Sequence, residues 1–348
     1  MNHHTHIHTH KETFQLECGK TLPGIDIGYT LYGPIEAGRP LVWVFQAMTG
    51  NSDAASWWVE LIGPGKAIDT ERHTVVCANV LGSCYGSTGA SSINPATGKP
   101  WLNTFPIITI RDMVEAHEIL RKHLGITRID LAIGGSLGAC QGLEWVIMNP
   151  GLISNLVFIA ASARTSPWVK AFGEAQRMAL MADPTFTNGN PEGGREGLKA
   201  ARAIGMISYR SFEAFEKTQY DPENNAFDHF NACSYLQYQG QKLVNRFSPH
   251  VYYTTTKSLD SHDVGRHRGG VAKTLATIKD TSVHCISIST DILFPASEVA
   301  EVAAMIPGAT HHTIESLYGH DGFLVKNERL NEIVSYIGKE PVPAKQLV

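Results

Sequence analysis

Short, continuous apolar runs alternate along this chain with segments whose apolar residues recur at helical spacing. Leu41–Phe45 and His73–Val80 read as buried strands. Met113, Ala116, Ile119, Leu120 and Leu124 predict a helix over Met113–Leu124 that stops at Gly125. Ile129–Ile133 then reads as a strand, Leu137–Met148 as a helix ending before Pro150, and Leu156–Ala160 as a further strand. Later the pattern resumes with a strand over Val283–Ser289, a helix over Ala296–Met305, a strand over Thr310–Glu315 and a helix over Glu328–Ile337. Strands apolar on both faces and separated by helices imply an α/β protein with a largely parallel sheet covered on both sides.

Between Arg164 and Lys279 the alternation fails. Helical patches occur around Gly173–Ala182, Gly197–Met206 and Phe230–Phe247, joined by polar loops such as Pro184–Gly194 and Tyr220–Asn225, and no strand stands out. The simplest organisation has five parts: a flexible His-rich tail over 1–15, a core over 16–163 and 280–340, a helical insertion over 164–279, and a short C-terminal tail over 341–348. His3, His4, His6, His8 and His10 crowd the first segment, where a mobile, solvated terminus is the simpler expectation than a metal-binding one.

Composition narrows the function. The chain has 348 residues, 43% apolar and 18% charged, with a net charge of -4, so it is globular and lacks the basic excess that nucleic acid or an anionic membrane would require. No apolar run is long enough to span a bilayer and no secretory signal is visible, which makes a cytoplasmic protein the expectation. The six cysteines show no C-x-x-C pair, and strings such as Val75-Val76-Cys77-Ala78 suggest reduced core residues. Outside the histidine segment no cluster has metal-ligand spacing, so no metal is expected.

The sharpest chemical signal is Gly134-Gly135-Ser136-Leu137-Gly138, placed directly between a predicted strand and a predicted helix. So tight a turn strains its central residue, small neighbours avoid clashes, and the serine hydroxyl stands clear at the helix N-terminus. A serine hydroxyl needs a base to take its proton and an acid to orient that base. Asp291 follows the strand Val283–Ser289, and His320 follows the last strand candidate, giving the order Ser, Asp, His. Asp260, Asp263 and Asp280 follow no strand, and His311 and His312 lie inside one. Two backbone N–H groups should meet the oxyanion: that of Leu137, directly after the serine, and that of Met48 in the loop Gln46-Ala47-Met48-Thr49-Gly50.

Longer strings resemble the homoserine O-acetyltransferase family of the α/β-hydrolase superfamily. They include Gly63-Pro64-Gly65-Lys66-Ala67-Ile68-Asp69-Thr70, Asn79-Val80-Leu81-Gly82, Thr109-Ile110-Arg111-Asp112-Met113-Val114 and Tyr318-Gly319-His320-Asp321, and the likeness runs from about Gly24 to Ile337. It implies an α/β-hydrolase fold with a mostly parallel central sheet and a helical lid. It also implies transfer of an acetyl group from acetyl-CoA, as co-substrate and not as a permanent cofactor, to L-homoserine through Ser136. By the same resemblance Arg202 and Tyr209 line the substrate tunnel, Asp321 holds the substrate ammonium, and the protein forms a homodimer. The oxyanion loop departs from the family's usual His-Ala-Leu-Thr-Gly, which opens the acyl-chain preference. A succinyl donor, a serine acceptor or plain ester hydrolysis would use the same triad.

Overall fold

The computed structural model describes residues 5–222, 227–325 and 328–337. Eight strands, β1 (Thr5–His10), β2 (Ile25–Tyr32), β3 (Leu41–Phe45), β4 (Thr74–Ala78), β5 (Ile129–Gly135), β6 (Ile153–Ile159), β7 (Ser282–Ile288) and β8 (Thr310–Ile314), form one sheet in the order β1-β2-β4-β3-β5-β6-β7-β8. The β1–β2 and β2–β4 pairs are antiparallel, and every other neighbouring pair is parallel. Alternation along β3 shows why the strands read as unbroken apolar runs. Trp43 and Phe45 pack into the core on one face, while Val42 and Val44 pack into the core on the other.

The helices are α1 (Ala54–Trp57), α2 (Ile110–His123), α3 (Leu137–Met148), α4 (Pro167–Met181), α5 (Arg195–Tyr209), α6 (Phe212–Gln219), α7 (Asn231–Val244), α8 (Pro249–Asp260), α9 (Val271–Leu275), α10 (Ala296–Met305) and α11 (Glu328–Ile337). Helix α2 starts at Ile110, ahead of the expected Met113, because Thr109 and Asp112 cap its first turn reciprocally. Gly125, at φ 69°, follows its C-terminus as expected. Between β6 and β7 the elements formed by the described residues are helices joined by loops, α4 packing on α5 and α5 on α7.

Several elements escape the sequence pattern: β1, β2, α1, α6, α8 and α9. Helix α8 is rich in β-branched residues, yet Thr254, Thr255 and Ser258 turn their hydroxyls back onto carbonyls of the preceding turn. That exchange suits polar residues to a buried helix. The N-terminal histidines were expected in a mobile tail; instead β1 zips along the edge of β2, with His6 stacked on Tyr29 and His8 on His123 at ring-centroid distances of 5.2 and 3.9 Å. Pairing with β2 satisfies backbone groups that a free edge would leave to solvent. His3, His4 and the tail over 341–348 lie outside the described residues. All six cysteines are free: Cys77, Cys140 and Cys285 are buried as expected, whereas Cys18 and Cys233 are exposed. No helix among the described residues is long and apolar enough to cross a membrane.

Candidate active site

Ser136 sits at the junction of β5 and α3 with φ 57° and ψ -126°, a left-handed conformation for a residue carrying a side chain. The strain is held by crowding on both sides. A Cβ on Gly134 would lie 2.6 Å from the Gly138 carbonyl carbon, and one on Gly138 would lie 2.6 Å from the Phe45 carbonyl oxygen. Only glycine lets helix and strand approach so closely. The Ser136 N–H donates to the Ile159 carbonyl at 2.9 Å, locking the turn onto β6, and the hydroxyl does not cap α3. Its oxygen is therefore uncommitted to the helix and opens on a cavity.

Asp291 lies just beyond β7 and is buried. Its Oδ1 accepts the backbone N–H groups of Leu293 and Phe294 at 2.8 and 2.9 Å, and its Oδ2 lies 2.7 Å from Nδ1 of His320. This grip on both oxygens fixes the carboxylate and leaves Nε2 as the free nitrogen of the imidazole. His320 follows β8 in a short 3₁₀ turn over Gly319–Phe323, enclosed by the rings of Tyr209, Phe294 and Phe323. Burial alone would lower its pKa. The Asp291 carboxylate, through its charge and hydrogen bond and with help from the charge of Asp321, carries it above the ordinary value. No hydrogen bond joins Ser136 Oγ to His320 among the described residues, although both line the same cavity. Contacts of this kind are often loose in an unliganded site and tighten around substrate.

That cavity, about 740 Å³ with its open mouth included, brings together Met48, Ser136, Arg202, Tyr209, His320 and Asp321. Asp291 stands behind His320, and Leu137 is buried. The N–H of Leu137 belongs to the first residue of α3, where no intrahelical acceptor exists, and no backbone hydrogen bond engages that of Met48 among the described residues. The chain thus has two backbone donors at the ends of β3 and β5, neighbouring strands, beside a buried nucleophile candidate.

Arg202 and Tyr209 lie two turns apart on α5 and share one face. The Arg202 guanidinium carbon stands 5.3 Å from the centre of the Tyr209 ring. No described carboxylate pairs with Arg202, and its Nε is buried without a partner. Burial raises the Tyr209 phenol, an effect that the charge of Arg202 opposes. Asp321 is engaged differently, with Oδ2 3.3 Å from Nε of Arg210. The site therefore presents one cation without a described carboxylate partner, and two carboxylates, Asp321 and Asp260, each already neighboured by an arginine.

Sequence reasoning missed part of the wall. Gln176 of α4 and Thr256 and Asp260 of α8 also face the cavity. Asp260, set aside because it follows no strand, pairs with Nη2 of Arg177 at 2.6 Å. Its i,i+4 spacing from Thr256 was a weak signal, usable only once α8 is known to be a helix. Gln46, where the resembled family usually has histidine, is buried with both amide atoms unpartnered. Among the described residues no group of three His, Cys, Asp or Glu side chains is placed to hold a metal ion.

Comparison with known proteins gives the fold and the family. Residues 40–206 match the α/β hydrolase fold family. A homoserine O-acetyltransferase of Cyclobacterium marinum is 43% identical over 325 residues, covering 93% of this chain and 92% of the relative. One of Moorella thermoacetica is 42% identical, covering 97% of both. The crystal structure of a homoserine O-acetyltransferase from Bacillus anthracis superposes with a TM-score of 0.90 at 21% identity, covering 98% of this chain and 99% of that one, a likeness of fold.

Proposed function

The chain belongs to the homoserine O-acetyltransferase family, and from that premise we propose that it moves an acetyl group from acetyl-CoA to the hydroxyl of L-homoserine through an ester on Ser136. The observation that supports the mechanism is the Asp291–His320 pair, 2.7 Å apart and opening with Ser136 on one cavity. His320 Nε2 takes the Ser136 proton as Oγ attacks the thioester carbonyl. The tetrahedral oxyanion forms against the N–H groups of Met48 and Leu137. Collapse breaks the C–S bond, and the proton on His320 goes to the departing CoA sulfur. In the second half the homoserine hydroxyl gives its proton to His320 and attacks the acyl-enzyme. Ser136 Oγ then leaves and recovers its proton from His320, giving O-acetyl-L-homoserine for methionine biosynthesis.

Arg202 is assigned the amino-acid carboxylate, because it is a cation on the cavity wall with no carboxylate partner among the described residues. Asp321 takes the ammonium, sharing its charge with Arg210. The acetyl donor is favoured over succinyl for a related reason. Arg202 is the one Arg or Lys among the described lining residues, and a succinyl carboxylate would compete for it. We extend the reading to a cytoplasmic homodimer assembled through the helical segment, where Ile207, Phe212 and Tyr238 are exposed.

Mass spectrometry of the product tests the assignment with acetyl-CoA and succinyl-CoA in competition and L-homoserine or L-serine as acceptor. O-acetyl-L-homoserine should dominate. A succinyl ester, an O-acylserine or free acetate as the main product would refute the assigned donor, acceptor or transfer respectively.

A further inference from the structure

The oxyanion loop is not held by the sheet alone. Arg246, in the turn between α7 and α8, reaches back across the molecule, and its Nη1 donates to the Thr49 carbonyl at 2.6 Å. The same nitrogen donates to the Tyr85 hydroxyl at 2.8 Å, and that hydroxyl donates to the Arg246 carbonyl at 2.9 Å. Tyr85 is itself anchored: its ring packs edge-on against Phe247, and its carbonyl accepts from Asn79 Nδ2 at 2.6 Å. Arg246 is exposed, yet its Nη1 is held by two acceptors in a circuit that closes on its own backbone carbonyl.

Thr49 follows Met48, and its carbonyl, which Arg246 grips, shares a peptide unit with the Gly50 N–H, two units beyond the one that carries the Met48 N–H. That Gly50 N–H donates to the Ala47 carbonyl at 2.9 Å, and the Ala47 carbonyl lies in the peptide unit that carries the Met48 N–H. Met48 is thereby spanned by two tethers, one within the loop and one from the helical segment. We propose that Arg246, braced by Tyr85, is a positioning residue for the Met48 N–H, coupling the seating of the helical segment to oxyanion stabilisation. The inference rests on the reading of Ser136 as nucleophile and Met48 as oxyanion donor.

A displaced donor costs less than a deleted one. Deleting an oxyanion donor typically costs ~10²–10³ in rate, so loosening this one should cost about tenfold. The test uses the full chain, with acetyl-CoA and L-homoserine as probes. R246A should lower kcat and the single-turnover rate of Ser136 acetylation about tenfold, leaving the KM for L-homoserine within about twofold. R246K, which retains one donor for the Thr49 carbonyl, should recover part of that rate. Y85F, which keeps the ring but loses the brace, should show a smaller loss of the same kind. Wild-type acetylation rates in R246A would overturn the proposal. So would a raised KM for acetyl-CoA at unchanged kcat, which would make the guanidinium a ligand for the phosphates of CoA. Failure of the wild-type chain to acetylate Ser136 at all would instead overturn the underlying reading, so the two failures are distinguishable.

Discussion

The sheet and the helical segment between β6 and β7 contribute to one cavity by different rules. On the sheet, each candidate catalytic group follows the C-terminal end of a strand: Ser136 directly after β5, Asp291 after β7, His320 in the 3₁₀ turn after β8, and Met48 in the loop after β3. Their positions follow from the fold's hydrogen-bonded frame and from local constraints such as the glycines flanking Ser136. In the helical segment the wall is built by packing. Arg202, Gln176 and Asp260 come from three different helices, and their convergence depends on how α4, α5 and α8 lie against one another. The lesson is that the bond-making apparatus is locally encoded and the recognition surface is tertiary. Changes on the sheet should therefore act on chemical steps, and changes on the helices on substrate affinity.

Asp291→Asn tests the sheet half and carries the largest expected effect. Losing the carboxylate should cost about 10⁴ in kcat, because the imidazole loses both its tautomer control and its counter-charge. It should also move the acid limb of kcat/KM. In the wild type, activity falls as the pH drops through the raised pKa of His320; without Asp291, burial dominates and the limb shifts to lower pH. A pH profile of both proteins checks this, and an unmoved limb would deny the coupling.

Arg202→Ala tests the helical half. The KM for L-homoserine should rise about 10–100-fold, the equivalent of ~1.5–3 kcal/mol for a charge-assisted pair, with the KM for acetyl-CoA changed less than about twofold. Equal increases for both substrates would break the division of labour, because Arg202 would then serve the cavity as a whole.

The smallest expected effect concerns the buried frame behind the site. Burial pushes His117 and His262 down to about 4, partly opposed by hydrogen bonds that their rings donate to the Gln141 side-chain oxygen and to the Ser162 carbonyl. Both are neutral in the fold, whereas an unfolded chain protonates them near pH 6.5. Their contribution is thus fully present above pH 6.5 and is lost as the pH falls toward 4. Urea unfolding at pH 7 and pH 5 should show a lower midpoint at pH 5, and His117→Asn should flatten that dependence. A midpoint equal at both pH values would contradict buried, neutral histidines.

The same division explains what the sequence made legible. Leu137–Met148 reads correctly to both ends because a glycine-rich turn precedes it and Pro150 follows. Ser136 and Asp291 are visible because each follows a short apolar strand, and His320 because it closes the order Ser, Asp, His after the last strand candidate. Helix α8 is invisible to propensity, since its threonines find helical partners only once buried. With α8 hidden, Asp260 and Thr256 had no face to share. Arg202 and Tyr209 stand out through family resemblance, and the structure adds that the guanidinium stacks on the phenol ring and has no acidic partner among the described residues. Strand β1 was missed because histidines and threonines carry no apolar signal; its place is set by the free edge of β2.

The central claim is that Ser136 carries the acyl group between two substrates. Intact-protein and peptide mass spectrometry after exposure to acetyl-CoA alone tests it most directly. The account predicts one acetyl group on the peptide containing Ser136, discharged by L-homoserine as O-acetyl-L-homoserine and absent from Ser136→Ala. An acetyl group that persists in Ser136→Ala, or transfer at an unchanged rate by that variant, would contradict it.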